Sequence, residues 1–259
     1  VPSHHPAISR GARAKGIGMS AEPDYRQSHC QPGKGESYHA AFSKNPYRRM
    51  VWEMEQEILV RILEDHLAGR RLLHLDFACG TGRILRFMAG RAAESTGVDV
   101  SPAMLAVARR ENPAAEIVEA DLTRNDVLGT RLFDLITAFR FFPNAQPELR
   151  RDVIAVLRRH LSPQGILVFN NHRNPAALRP RLAKWIGRRG NPGMGMDEAG
   201  KLVAEAGLDI RAVHPLCVFP VAERYPVLPV SWLRRIEDWA RRHPRLGPFG
   251  ENQILVCGR

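Results

Sequence analysis

A short apolar run that ends in an acidic residue and a glycine-rich turn constrains the fold of this chain more than any other feature. Residues 72–77 are typical of a buried strand, and residues 78–82 are the small residues that a tight strand-to-helix turn needs. The apolar residues 84–89 indicate a helix whose first N–H groups face a ligand. The pattern predicts a strand–helix–strand unit with a ligand site at its first turn.

A second predicted strand also ends in an acidic residue, which indicates the kind of ligand. The predicted short strand 95–100 carries Asp99, which lies 17 residues beyond Gly82. At this position of such a unit, a carboxylate accepts hydrogen bonds from both hydroxyl groups of a ribose. Together the two strand ends predict a site for a nucleoside cofactor.

The composition of the turn separates two kinds of nucleoside site. A dinucleotide-binding turn of the G-x-G-x-x-G/A type needs a small residue at its last position, where this chain has Leu85. Asp76, just before the turn, would repel a pyrophosphate and attract an ammonium group. The residues therefore favour a cofactor with a positively charged end, and an NAD(P)-dependent oxidoreductase is the alternative enzyme.

Residues 75–82, Leu-Asp-Phe-Ala-Cys-Gly-Thr-Gly, resemble the first motif of class I S-adenosylmethionine-dependent methyltransferases. Four further stretches resemble later motifs of that family, in order, at residues 97–105, 119–122, 133–139 and 161–169. The resemblance covers roughly residues 70–170. It implies an α/β fold with a doubly wound, Rossmann-like, seven-stranded sheet that is mostly parallel, with an antiparallel last strand. It also implies the cofactor S-adenosyl-L-methionine.

The resemblance assigns cofactor contacts residue by residue. Asp99 would hold the ribose hydroxyls and Asp121 would meet the adenine amino group. Many members of the family have glycine where this chain has Ala78, and alanine suits the turn if its φ is negative. The cofactor-binding residues that we predict are Tyr38, Asp76, Ala78, Cys79, Gly80, Gly82, Asp99, Val100, Met104, Asp121, Leu122 and Phe139.

Polar residues that follow the fourth and fifth predicted strands are candidates for the acceptor side, since α/β folds bind ligands beyond the carboxyl ends of their strands. We predict that Arg140, Asn144 and Arg173 contact the substrate. His172 is the candidate general base for an oxygen nucleophile, because the ordinary pKa of histidine lies near neutral pH. A structural hydrogen-bonding role is the alternative for His172. The four cysteines lack C-x-x-C spacing, so we predict no metal site.

The chain is predicted to hold a disordered segment, residues 1–35, and one methyltransferase domain, residues 36–259. Within the domain we expect N-terminal cap helices at 36–69, a cofactor-binding core at 70–170, substrate-cap insertions at 171–195 and 220–250, and the last strand at 251–259. Residues 1–18 are either native or an addition before a start at Met19.

The net charge is +11, from 38 basic and 27 acidic residues, and its distribution matters more than its sum. Arg140, Arg173 and the arginines near residues 179–189 favour a small-molecule acceptor that is acidic or phosphorylated. Solvated arginines, nucleic acid and peripheral contact with an anionic membrane are alternatives, with RNA methylation disfavoured. The sequence contains no apolar run of transmembrane length, and we predict a cytoplasmic enzyme that methylates oxygen or nitrogen. A methyltransferase-like binding protein without turnover is the non-enzyme alternative, and the oligomeric state is not predicted.

Overall fold

The computed structural model describes residues 24–27, 31, 33–187, 193–219 and 228–259. Within these residues one sheet has the strand order β3-β2-β1-β4-β5-β7-β6. Its strands are β1 (Leu73–Phe77), β2 (Glu94–Asp99), β3 (Glu116–Glu119), β4 (Phe133–Ala138), β5 (Leu161–Asn171), β6 (Asp209–Leu216) and β7 (Asn252–Gly258). Strands β1 to β5 pair in parallel, while β7 lies antiparallel between β5 and β6. The predicted fold class is confirmed.

Helices cover both faces of the sheet. They are α1 (Lys34–Lys44), α2 (Pro46–Leu67), α3 (Arg83–Met88), α4 (Pro102–Glu111), α5 (Pro147–His160), α6 (Leu178–Trp185), α7 (Met196–Glu205) and α8 (Val230–Arg241). Local sequence sets where several begin. The side chain of Asn45 accepts hydrogen bonds from the first N–H groups of α2, and Ser101 caps α4 in the same way. None of the described helices is long and apolar enough to cross a membrane.

Two apolar cores sandwich the sheet. Helices α5 and α7 pack on one face, where Leu157 and Phe169 are fully buried. Helices α2, α3 and α8 pack on the other face, where Met54 and Val168 are fully buried. Because both faces are covered, the carboxyl ends of the parallel strands are the place where the fold exposes backbone and side chains to a ligand.

The predicted disorder of residues 1–35 does not hold for the 3-10 helix Tyr25–Gln27. The ring of Tyr25 packs edge-on against Phe141, with 5.7 Å between centroids, and its hydroxyl donates to the carbonyl of Arg140 over 3.1 Å. The polar composition of this segment gives little apolar surface to bury. The ring of Tyr25 and the guanidinium of Arg26 nevertheless contact residues of the folded domain. Residues 1–23, 28–30 and 32 lie outside the described residues.

The two predicted cap insertions are described in part, since residues 188–192 and 220–227 lie outside the described residues. In the second insertion, α8 packs on α2 and β6. Its buried residues are Leu233, Glu237 and Ala240, while Trp232 and Trp239 are exposed. The side chain of Glu237 accepts hydrogen bonds from two backbone N–H groups that follow β6. A role of these insertions in covering the substrate stays a prediction.

Candidate functional site

One pocket opens at the carboxyl ends of β1, β2 and β4. It brings together eleven of the twelve predicted cofactor residues, namely Tyr38, Asp76, Ala78, Cys79, Gly80, Asp99, Val100, Met104, Asp121, Leu122 and Phe139. Gly82 is not part of the lining. It precedes α3 with φ 78°, and a Cβ there would lie 2.2 Å from the side-chain nitrogen of Asn112. Gly82 therefore allows the turn to approach α4 closely.

The turn after β1 uses left-handed backbone three times. Ala78 has φ 54°, Gly80 has φ 54° and Gly82 has φ 78°. The condition under which alanine suits the turn, a negative φ at Ala78, is therefore not met. An L-residue with a Cβ is strained in this region, and such strain persists where the surrounding structure fixes the backbone. Here Cys79, next to Ala78, donates its N–H to the carbonyl of Val98 over 3.0 Å, which ties the turn to β2.

Asp99, at the end of β2, is anchored by backbone on both sides of the pocket. One carboxylate oxygen accepts the N–H of Gly80 over 2.8 Å, and the other accepts the N–H of Ser101 over 2.9 Å. A carboxylate has about four acceptor sites, so Asp99 keeps capacity for ligand hydroxyls. The anchoring fixes its orientation toward the pocket before any ligand arrives.

Asp76, near the end of β1, is buried, and only one of its two carboxylate oxygens accepts a hydrogen bond from the described residues. Its Oδ1 accepts the hydroxyl of Thr137 over 2.7 Å, while its Oδ2 has no hydrogen-bond partner among the described residues. Burial raises the pKa of Asp76 to about 7, against the opposing influence of Thr137 and Arg83. Because an unpaired buried carboxylate costs stability, its place in a pocket indicates a ligand group that donates hydrogen bonds or carries positive charge.

Asp121, after β3, is already held by the chain. Its Oδ1 accepts the backbone N–H and hydroxyl of Thr123, over 3.0 and 2.6 Å. Its Oδ2 accepts the Nε of Arg26 over 2.7 Å, and Arg26 also donates to the Thr123 hydroxyl over 2.8 Å. The 3-10 helix Tyr25–Gln27 is thereby fastened over this end of the pocket.

Sequence reasoning missed several residues of the same lining, among them Tyr25, Arg26, Thr81, Arg83 and Phe141. Tyr25 and Arg26 lie in a segment with no periodic pattern, so nothing in the sequence indicated that they fold back onto the pocket. Arg83 was identifiable as the first residue of α3, and its guanidinium pairs with the buried Glu55 over 2.8 Å.

The residues predicted to contact the methyl acceptor do not all line the pocket. Arg140 lines the pocket, whereas Asn144, His172 and Arg173 do not. Asn144 supports the wall instead, since its side chain donates to the carbonyl of Arg140 over 2.5 Å. Burial, together with the charges of Arg140 and Arg173, lowers the pKa of His172 well below its ordinary value. The imidazole is therefore neutral near pH 7, which is the form that can accept a proton, but its lowered pKa makes it a weaker base than an ordinary histidine.

Comparison with known proteins gives the same family as the motifs. Residues 75–165 match the model of a family described as a methyltransferase domain. A dTDP-3-amino-3,6-dideoxy-alpha-D-glucopyranose N,N-dimethyltransferase of Streptomyces fradiae is 31% identical over 167 residues, which cover 63% of this chain and 57% of the relative. A malonyl-[acyl-carrier protein] O-methyltransferase of Enterobacter lignolyticus is 36% identical over 107 residues, 40% of each chain. The chain spans about half the length of the curated relatives it matches.

Solved structures show the likeness in fold over most of the chain. A magnesium protoporphyrin IX methyltransferase from Synechocystis, with bound S-adenosylhomocysteine, aligns with a TM-score of 0.59 at 16% identity, covering 84% of this chain and 87% of that one. An S-adenosylmethionine-dependent methyltransferase from Clostridium acetobutylicum aligns with a TM-score of 0.60 at 13% identity, covering 86% and 98%.

Proposed function

We propose that this chain is a member of the class I S-adenosylmethionine-dependent methyltransferase family and transfers a methyl group to an oxygen or nitrogen of a small-molecule acceptor. The observation that carries the proposal is the Oδ2 of Asp76, which has no hydrogen-bond partner in the described part of the chain and is buried in a pocket that Asp99 also lines. The cofactor of this family has an ammonium group and two ribose hydroxyls, so the two carboxylates fit its two polar ends.

In the proposed mode of binding, Asp76 receives the ammonium group and Asp99 receives the ribose hydroxyls. The side chains of Val100, Met104 and Leu122 border the adenine. All five residues line the described pocket, which is why they support the proposal together. Tyr38, on α1, contributes to the same lining from the N-terminal side.

When bound, the cofactor supplies a methyl group on a sulfonium. Because the sulfur is a good leaving group, methyl transfer needs little acid–base assistance. The chain's own contribution is to align the acceptor with that methyl group and to exclude water. Phe139 and Phe141 give the pocket an apolar wall, and Tyr25 packs edge-on against Phe141. The guanidinium of Arg140, in the same lining, is suited to an acidic or phosphorylated group on the acceptor.

The alternative of an NAD(P)-dependent oxidoreductase is less well supported. A pyrophosphate at the turn would lie near the carboxylates of Asp76 and Asp99, which repel it. The lining also holds three arginines, but Arg26 pairs with Asp121 and Arg83 pairs with the buried Glu55. The proposed choice of nitrogen or oxygen draws on the relatives, whose names describe N,N-dimethylation of a dTDP-linked amino sugar and O-methylation of malonyl-[acyl-carrier protein].

Calorimetric titration of the purified chain with S-adenosylhomocysteine and, separately, with NADH tests the proposal. We expect S-adenosylhomocysteine to bind in the micromolar range and NADH not to bind. A pool of metabolites incubated with radiolabelled cofactor would then reveal the acceptor by the product that gains the label. A chain that binds NADH, and ignores S-adenosylhomocysteine, would refute the proposal.

The sequence-based prediction that His172 is a general base has its own test once an acceptor is known. If His172 accepts a proton from the acceptor, His172→Ala lowers kcat by about 100-fold or more while the affinity for S-adenosylhomocysteine stays unchanged. A loss below threefold would assign His172 a structural role.

A further inference from the structure

We propose that Asn170 is a positioning residue, which holds the backbone turn at Arg140 in the shape that the cofactor pocket requires. The inference rests on the proposed function, because it concerns the same pocket. Asn170 lies at the end of β5, is fully buried and does not line the pocket itself. It acts through Arg140, which does.

Arg140 adopts a backbone conformation that L-residues avoid. Its φ is 61°, directly after β4, where the chain turns along the pocket wall. Side chains bind both of its backbone polar groups. The N–H donates to Oδ1 of Asn170 over 2.5 Å, and the carbonyl accepts the side chains of Asn144 and Tyr25 over 2.5 and 3.1 Å. Strained residues persist where their surroundings over-determine them, and they cluster at ligand sites.

A chain of hydrogen bonds extends from Asn170 to a second lining residue of the pocket, Arg83. Its side-chain nitrogen donates to Oδ1 of Asn252 over 3.1 Å, and Asn252 donates to Oε1 of Glu55 over 2.9 Å. The other carboxylate oxygen of Glu55 accepts Nη1 of Arg83, which lines the pocket at the start of α3. Three buried polar side chains thus join the wall at Arg140 to the wall at Arg83.

The neighbouring Asn171 shows that burial of an asparagine alone does not imply this role. Asn171 is equally buried, but its side chain points to the other face of the sheet, where it donates to the carbonyl of Met194 over 2.7 Å. Met194 does not line the pocket. Asn170 and Asn171 therefore form a matched pair, in which the same substitution removes a buried amide on either side of one strand.

The test compares Asn170→Ala with Asn171→Ala. For each variant, the Tm is measured by calorimetric unfolding and the Kd for S-adenosylhomocysteine by titration. Both substitutions leave buried partners unsatisfied, so both are expected to lower the Tm. We expect Asn170→Ala to raise the Kd by about tenfold, because it releases the strained turn at Arg140 in the pocket wall. Asn171→Ala should change the Kd by less than about twofold, because Asn171 does not contact that turn.

A second variant keeps the test decisive if Asn170→Ala does not fold. Asn144 holds the carbonyl of the same residue from outside the sheet, so Asn144→Ala should raise the Kd by about threefold while leaving the sheet core intact. Equal Kd values for Asn170→Ala and Asn171→Ala, or, where the former is unfolded, an unchanged Kd for Asn144→Ala, would overturn the inference. These outcomes leave the proposed function standing, whereas a wild-type chain that does not bind S-adenosylhomocysteine removes both.

Discussion

The ends of β1 and β2 meet in one pocket, and each contributes a carboxylate, yet the two differ in how the protein treats them. Asp99 accepts backbone N–H groups from Gly80 and Ser101, so it holds two turns together. Asp76 is buried with one oxygen that has no hydrogen-bond partner among the described residues. The carboxylate of Asp99 therefore stabilises the fold and is also placed to bind a ligand. The carboxylate of Asp76 destabilises the fold, and we explain its presence by a ligand that binds it.

The comparison teaches that substitutions at the two acids should change ligand affinity in the same direction and stability in opposite directions. An acid whose folded pKa lies above its unfolded value binds more protons in the folded state. The folded state therefore loses stability as pH rises between these two values, which for Asp76 are 3.8 and about 7. Removing its charge should relieve this penalty.

The largest effect is expected for Asp76→Asn at pH 8. Loss of a buried charge-assisted contact to an ammonium group should raise the Kd for S-adenosylhomocysteine by about 100-fold. Without ligand the variant should unfold at a Tm higher than wild type by about 4 °C or more, because no buried charge remains. Titration measures the Kd and calorimetric unfolding measures the Tm. A Tm lower than wild type would contradict the expectation that substitutions at Asp76 and Asp99 change stability in opposite directions.

Asp99→Ala is expected to raise the same Kd by about 30-fold, through loss of acceptors for two hydroxyl groups. Its Tm should fall, because the N–H groups of Gly80 and Ser101 lose their partner. Asp126 provides the control, since its carboxylate accepts the N–H of Leu128 and contacts His160 outside the pocket. Asp126→Ala should lower the Tm without changing the Kd. An unchanged Kd for Asp99→Ala would refute the ribose contact.

The pH dependence of binding sharpens the role of Asp76. Only the ionised carboxylate attracts an ammonium group, and its pKa is about 7 in the free protein. The affinity of the wild-type chain for S-adenosylhomocysteine should therefore fall by about tenfold from pH 8 to pH 6. Titrations at several pH values measure the slope. Asp76→Asn should show a flat profile over this range, and an equal slope in the variant would assign the pH dependence to another group.

The smallest effect concerns two arginines that contact the same Oδ2 of Asp121. Arg26 lies 2.7 Å away and lines the pocket, whereas Arg124 lies 3.5 Å away with a side chain that is 72% exposed. Arg26→Ala should raise the Kd for S-adenosylhomocysteine by about fivefold, since it unfastens the 3-10 helix from the pocket. Arg124→Ala should leave the Kd unchanged, because exposed ion pairs contribute little. Similar Kd values for both variants would show that the 3-10 helix does not close the site.

Much of the cofactor end could be predicted because it depends on short stretches of sequence. A buried strand, a turn of small residues and a carboxylate at a fixed distance are local patterns, and parallel strands place their carboxyl ends at one edge. That is why Asp76, Asp99 and Asp121 were found together. Hydropathy alone does not predict which side of α8 is buried, since the helix buries Glu237 and exposes Trp232. The carboxylate is buried there to bind backbone N–H groups that follow β6, a long-range contact.

The sequence by itself determined the order of strands and helices along the chain, the motifs that resemble those of class I S-adenosylmethionine-dependent methyltransferases and the acids that line the pocket, since each is encoded in residues that lie close together along the chain. Tertiary structure alone decided that Tyr25 and Arg26 return to the pocket, that Oδ2 of Asp76 has no hydrogen-bond partner within the described ranges and that Asn170 accepts the N–H of Arg140. The physical reason is that burial, pKa and backbone strain depend on groups from distant strands, and folding alone brings those groups within hydrogen-bonding distance.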